Sequence, residues 1–323
     1  MASILYTISF FIIMKEPKLS ILIVLLSSMS LVAQDALFVQ PSGGNIYLNP
    51  ALVGNDSVAR LGLIYRIQWP NLSSAFETAA VNFYQFIPKF NAYGGISYLR
   101  NDHARGNVIS NNFSIFYSQN INIKKVLLRP SVEVAFGNRK LDDTRLNFGN
   151  TMYPSSQAPL NTTTQKQNLN YTDLNFGVMA YYKKFLLGLS AHHILEPNVG
   201  FGAGHTELPI RYGVQMGYQI AIKKVVLSPF GYFRKQQYFT SVLFGANALL
   251  YNHLNLALSY GTSDRIISNI GYENKFFRIN YSFDYTFSKL AVNSAYSHEI
   301  GLSFRFWKTK PKMRLIGVNS VFS

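Results

Sequence analysis

The chain holds six histidines, fifteen acidic side chains and no cysteine, which bounds the chemistry available to it. Without cysteine there is no disulfide, thiolate zinc site, thiol nucleophile or lipidated cysteine anchor. His192 and His193 are neighbours, and adjacent side chains on a strand point to opposite faces, so the two cannot share one ion without a bulge. His205 and Glu207 share a loop with Gly200, Gly202 and Gly204, but no third ligand joins them. Those glycines do not follow a strand into a helix with phosphate-loop spacing. Asp142, Asp143 and Asp173 are candidate surface calcium ligands only. No serine, histidine and acid have the local context of a nucleophile elbow. These residues predict no catalytic set, no resident metal and no cofactor.

What remains is electrostatics, which depends on the elements that place the charges. From Val58 onward the apolar period is two. Phe277, Ile279, Tyr281, Phe283, Tyr285 and Phe287 alternate with Arg278, Asn280, Ser282, Asp284 and Thr286. His298, Ile300, Leu302, Phe304 and Phe306 alternate in the same way with Ser297, Glu299, Gly301, Ser303 and Arg305. This pattern marks strands with one apolar and one polar face. Strands are predicted near 58–68, 78–87, 93–100, 108–121, 126–138, 172–182, 185–193, 211–222, 225–234, 238–251, 254–262, 268–274, 276–287 and 296–306. Even-numbered strands of these fourteen lead into tight turns, and odd-numbered strands into mostly longer links, above all 139–171 and 194–210. The stretch 151–170, rich in Ser, Thr, Gln and Asn, reads as a mobile loop.

An even strand count with short turns on one side describes an antiparallel outer-membrane β-barrel, both termini and the tight turns periplasmic. Composition agrees: aromatics reach 15% while charged residues fall to 14%, well under the roughly 25% of soluble proteins. A soluble β-sandwich would alternate too, but it would bury its apolar faces in a shared core.

The N-terminus reads as an export signal over 1–33, with a second candidate start at Met14. Lys15 and Lys18 precede a short apolar run, Leu19 to Leu26, and cleavage is expected near Ala33–Gln34. Lys15 and Lys18 split the apolar residues, leaving no run of the roughly 20 residues a spanning helix needs. Loss of 1–33 removes Lys15, Lys18 and Glu16, one net positive charge, so +14 of the +15 stays. The basic residues are scattered over turns and loops without a recognition helix, which argues against a nucleic-acid partner. The domain plan is a 34–57 periplasmic lead-in or plug, a 58–307 barrel and a basic 308–323 tail.

With the polar face inward, Arg66, Asp284 and Glu299 lie at similar depth on the first, thirteenth and fourteenth strands. Closure makes the first and last strands neighbours, so a guanidinium between two carboxylates would fix the seam. Three separately solvated lumen charges are the alternative. Arg60, Arg278 and Arg305 occupy the opposite half of that wall, as a positive vestibule or as ordinary pore-lining charges. The pairs Lys124–Lys125, Lys183–Lys184 and Lys223–Lys224 recur at one rim. There they either dock an acidic periplasmic protein or simply solvate tight turns and block stray strand pairing.

Several short stretches together resemble the PorP/SprF family of type IX secretion membrane proteins of the Bacteroidota. They are Gln34–Asp35, Tyr47–Leu48–Asn49–Pro50–Ala51, Tyr65–Arg66, Gln68–Trp69–Pro70, Gly188–Leu189–Ser190 with His193 and Pro197–Asn198, and Ser297–His298–Glu299–Ile300. The resemblance spans about residues 34–307. It departs from the family at Phe38–Asn45, and the tail Lys308–Ser323 runs past the last strand. It implies a non-enzymatic outer-membrane component of type IX secretion or gliding machinery. Such proteins assist export or surface anchoring of large adhesins with a dedicated C-terminal domain, and contact periplasmic secretion proteins. Its partners would then be membrane lipid, those proteins and the exported adhesin. The competing function on the same fold is a porin-like or small hydrophobic-molecule channel. A barrel lipase or protease would need a clustered catalytic set, and none can be assembled.

Overall fold

The computed structural model describes residues 38–39, 45–53, 58–72, 75–103, 106–142, 167–201, 205–262, 264–287 and 296–308. The export signal over 1–33, Gln34, Asp35, residues 40–44, Asp143, the 151–166 part of the expected loop and the tail beyond Lys308 lie outside these residues.

Sixteen strand segments form one antiparallel sheet among the described residues. They are β1 (Val58–Gln68), β2 (Phe76–Ile87), β3 (Ala92–His103), β4 (Val108–Gln119), β5 (Ile121–Ile123), β6 (Val126–Leu141), β7 (Gln167–Tyr182) and β8 (Phe185–His192) in the first half. The second half has β9 (Arg211–Tyr218), β10 (Ile220–Ile222), β11 (Val225–Gln236), β12 (Phe239–Leu250), β13 (Leu254–Gly261), β14 (Arg265–Glu273), β15 (Phe277–Thr286) and β16 (Tyr296–Lys308). Segments β5 and β10 continue β4 and β9 past Asn120 and Gln219, so the wall has fourteen staves. β16 pairs with β1 and β9 with β11, which closes the sheet on itself.

Closure matters because hydrocarbon offers no partner to a strand edge, and a closed ladder satisfies its own backbone. Side-chain exposure confirms the inverted polarity of such a barrel. On β15, Ser282 is 0% and Arg278 2% exposed, whereas Ile279 and Tyr281 are 39% and 42% exposed. A sandwich would show the reverse, so that alternative is excluded. Among the described residues no helix is long and apolar enough to cross a membrane; the strands cross it.

Strands β6 and β7 run further than the sequence pattern indicates. Gln167–Asn170, expected in the loop, belong to β7, paired against Asn138–Leu141 of β6. Their outward side chains, Asn168 and Asn170, are polar and exposed. A strand reaching above the lipid needs no apolar face, so the period-two signal fades where the ladder still continues.

Inside the barrel, Asn45–Leu48 makes one helical turn, α1, and Pro50–Leu52 a 3-10 turn. Ala51 and Leu52 pack on Leu127, Met179, Tyr181, Leu186 and Phe230, while Ile46 and Val53 pack on Tyr84, Phe86, Tyr93 and Phe116. The apolar core of this protein is therefore the contact between an inserted segment and the inner wall.

Candidate functional site

The segment 45–53 is held by side chains that project inward from half of the wall. The Asn49 side-chain oxygen accepts from the Ala51 amide at 2.9 Å, capping the 3-10 turn. Its amide nitrogen donates to Gln215 Oε1 at 2.9 Å and to the Leu189 carbonyl at 3.0 Å. Asn49 reaches the wall because Gly177 and Gly188 lack side chains. A Cβ on Gly177 would stand 2.0 Å from Asn49 Oδ1, and one on Gly188 2.5 Å from Gln215 Oε1.

Wall donors take the carbonyls on either side of Asn49. Arg211 donates to Tyr47 O at 3.1 Å, Ser190 to Leu48 O at 3.0 Å, and Ser118 to Pro50 O at 3.1 Å. His192 Nε2 lies 3.1 Å from Leu48 O. Arg129, buried, donates to Val53 O at 2.5 Å and stacks over Tyr93 and Tyr181. Burial lifts the Tyr47 phenol above its ordinary value, and the nearby Glu133 adds to this, so it stays a neutral donor.

On the opposite wall, Arg66 and Glu299 are direct cross-strand partners in the β1–β16 seam. Arg66 Nη1 is 3.4 Å from Glu299 Oε2, and Nη2 is 3.0 Å from Asp284 Oδ2, all three side chains being buried. Arg265 joins them, 3.6 Å from Asp284. The amide of Val39 donates to Glu299 Oε2 at 2.9 Å, and Phe38 packs with Ile64 and Ala80. The lead-in thus touches the closing seam at Val39 and the β7–β9 wall at Asn49.

The vestibule arginines are not a bare positive surface. Arg278 and Arg305 both contact Glu273, Arg305 at 3.4 Å, while Arg60 faces Arg305 in the register. Glu273 and Arg265 escaped sequence reasoning, although both fall at inward positions of β14.

The remaining singled-out positions spread over both rims and the outer face. The Tyr65 hydroxyl points outward and donates to Glu77 at 2.8 Å. Gln68 ends β1; Trp69 follows with φ 57° and meets Phe76 edge-on, next to Pro70. Ser297 is buried, and His298 faces out, 2.7 Å from the Tyr281 hydroxyl. His193 leaves the strand at φ 60° and sits 2.5 Å from Asp173. Asn198 accepts from the Gly200 and Thr206 amides, and the Leu208 amide donates to Pro197 O, which ties 197–200 to 206–208. Arg139 and Gln236 bind the carbonyls of Val199 and Pro209. The three lysine pairs occupy tight turns on the other rim. His205 and Glu207 are exposed, 3.3 Å apart. Among the described residues no three His, Asp or Glu side chains converge as a metal site.

A search of curated proteins returns no match. Solved barrels match across most of the chain. The CymD monoaromatic hydrocarbon channel has a TM-score of 0.51 at 11% identity, over 82% of this chain and 93% of its own. The P. putida toluene transporter TodX gives 0.49 at 11% identity, over 82% and 94%. Omp33 of Acinetobacter baumannii gives 0.46 at 7% identity, over 78% and 100%. At such identity, likeness concerns the fold alone. The family model for type IX secretion system membrane protein PorP/SprF covers residues 31–304, taking in the Asn49 niche, the Arg66–Glu299 seam and the Asn198 contacts. The chain belongs to the PorP/SprF family of type IX secretion membrane proteins and is an integral outer-membrane β-barrel.

Proposed function

We propose that this barrel is a non-catalytic anchoring subunit, assisting export or surface attachment of a large adhesin-like protein. Its loop rim faces the exterior and its tight turns face the periplasm, where it contacts other secretion components. The observation that carries this reading is the lead-in, hydrogen-bonded to the closing seam at Val39 and to the opposite wall over residues 47–53. Wall side chains take the carbonyls of Tyr47, Leu48, Pro50 and Val53, which fixes this segment in the path an open pore would need. A scaffold gains stiffness from it.

The β7 edge supplies a place to hold an extended polypeptide. Pairing of β7 with β8 stops at Phe176, and Leu174 closes it off: its carbonyl accepts from the Ile194 amide, and its own amide donates to the Asp173 carboxylate. Beyond it, Asn168, Asn170 and Thr172 share Leu174's parity, so their backbone groups face the side on which no described strand pairs with them. They carry no charge, proline or bulge of the kind that protects an edge. An incoming strand would add to this edge, with Leu169 reading one of its faces and the Asn row the other, while Tyr171 leans away over Gly137 to Asn112. Affinity purification of the full chain from native envelopes tests the proposal. Co-elution of a large surface protein supports it; recovery of the barrel alone from secreting cells removes it.

A further inference from the structure

Lysine is concentrated on the tight-turn rim. Five of its six turns carry it: Lys89, the pairs 124–125, 183–184 and 223–224, and Lys275. The acidic residue nearest this rim among those described, Glu273, is buried against Arg278 inside the wall. Lys124, Lys183 and Lys223 each adopt φ 53°, a left-handed conformation that any Cβ disfavours. Asparagine, which tolerates it better, fills comparable positions at Asn91 and Asn252. Lysine therefore stands three times where the backbone would favour another residue, which points to a use for the charge.

The position of the charge identifies the partner. Ile123 and Ile222, 53% and 55% exposed, directly precede Lys124 and Lys223, so the lipid-facing belt runs up to the turns. Lys183 lies over the Tyr182 ring at 5.4 Å, Lys224 over Tyr251 at 5.5 Å and Lys275 over Phe276 at 4.9 Å. Those rings are themselves exposed, so the ammonium groups are held beside the aromatic belt, at the depth of headgroup phosphates. The lysines also surround the barrel. A docked protein would engage one sector, whereas a lipid leaflet touches the whole circumference.

We infer that the tight-turn rim binds anionic phospholipid headgroups of the leaflet it meets, lysine to phosphate, and so sets the depth of the barrel. This assigns the lysine pairs to lipid instead of an acidic protein, and rests on the periplasmic placement of that rim.

The test uses the full-length barrel in nanodiscs of phosphatidylglycerol and phosphatidylcholine, with retained lipid counted by native mass spectrometry after detergent exchange. Wild type should retain phosphatidylglycerol with a preference of about tenfold or more, lost at about 0.5 M salt. Replacing all six paired lysines by Gln should abolish the preference, and replacing them by Arg should keep it, with the folded-barrel gel shift unchanged in both. The salt arm needs no variant, so misfolding of the Gln form leaves the inference testable. Equal retention of both lipids by wild type overturns it, as does an unaltered preference in the folded Gln form. Lysine-dependent capture of an acidic periplasmic protein without lipid preference also overturns it, giving the rim to protein. Loss of adhesin co-purification would bear on the anchoring proposal alone.

Discussion

Arg66 and Glu299 lie 233 residues apart in sequence and directly opposite in the seam, guanidinium 3.4 Å from carboxylate, with the Val39 amide on the same oxygen. One carboxylate therefore ties the first strand, the last strand and the lead-in together. Its burial makes this arrangement expensive to break, because a charge left alone in the wall keeps its desolvation cost without its partner.

Replacing Glu299 by Gln or Arg66 by Ala should destabilise the folded barrel by about 3–5 kcal/mol. Urea unfolding in lipid vesicles, followed by tryptophan fluorescence, measures it. The double variant should cost less than the sum of the singles, since both changes remove the same contact, while Arg66→Ala alone leaves the Glu299 carboxylate without its guanidinium.

The Asn49 niche predicts a specific clash. Gly177→Ala or Gly188→Ala should expel Asn49 from the wall, and Asn49→Ala should free segment 45–53 with less disturbance of the wall. With no native cysteine, a Leu48→Cys reporter reads the effect. Labelling by a water-soluble maleimide should be slow in the parent and faster by about tenfold or more in each niche variant, the loss of roughly 1.5 kcal/mol of local protection.

For the β7 edge, Asn170→Pro removes a backbone donor on the open side while leaving the β6 ladder intact. Retention of the exported protein should fall about tenfold or more, the share of one to two hydrogen bonds, with barrel folding unchanged. Quantitative pull-down from native envelopes checks it. Undiminished retention would move the holding site elsewhere on the loop rim.

Much of this geometry was legible from residues. Period two on β15 and β16 gives both the barrel and the facing of each side chain, and closure then makes Arg66 and Glu299 neighbours. The contacts of segment 45–53 were not legible. That Asn49 needs the absence of a Cβ at Gly177 depends on the register of strands more than a hundred residues away. Gln167–Asn170 were hidden for another reason: above the lipid the outward face, here Asn168 and Asn170, need not be apolar, so composition resembles a loop. Glu273 was concealed by depth, since alternation places a side chain inside but does not say which guanidinium it meets.

Single-channel recording in a planar bilayer tests the central claim, that segment 45–53 is bound to the lumen wall and the barrel serves as a scaffold. The account predicts a nearly silent wild-type barrel, and steady conductance once residues 45–53 are deleted. Steady, open conductance from the intact wild-type chain would contradict it.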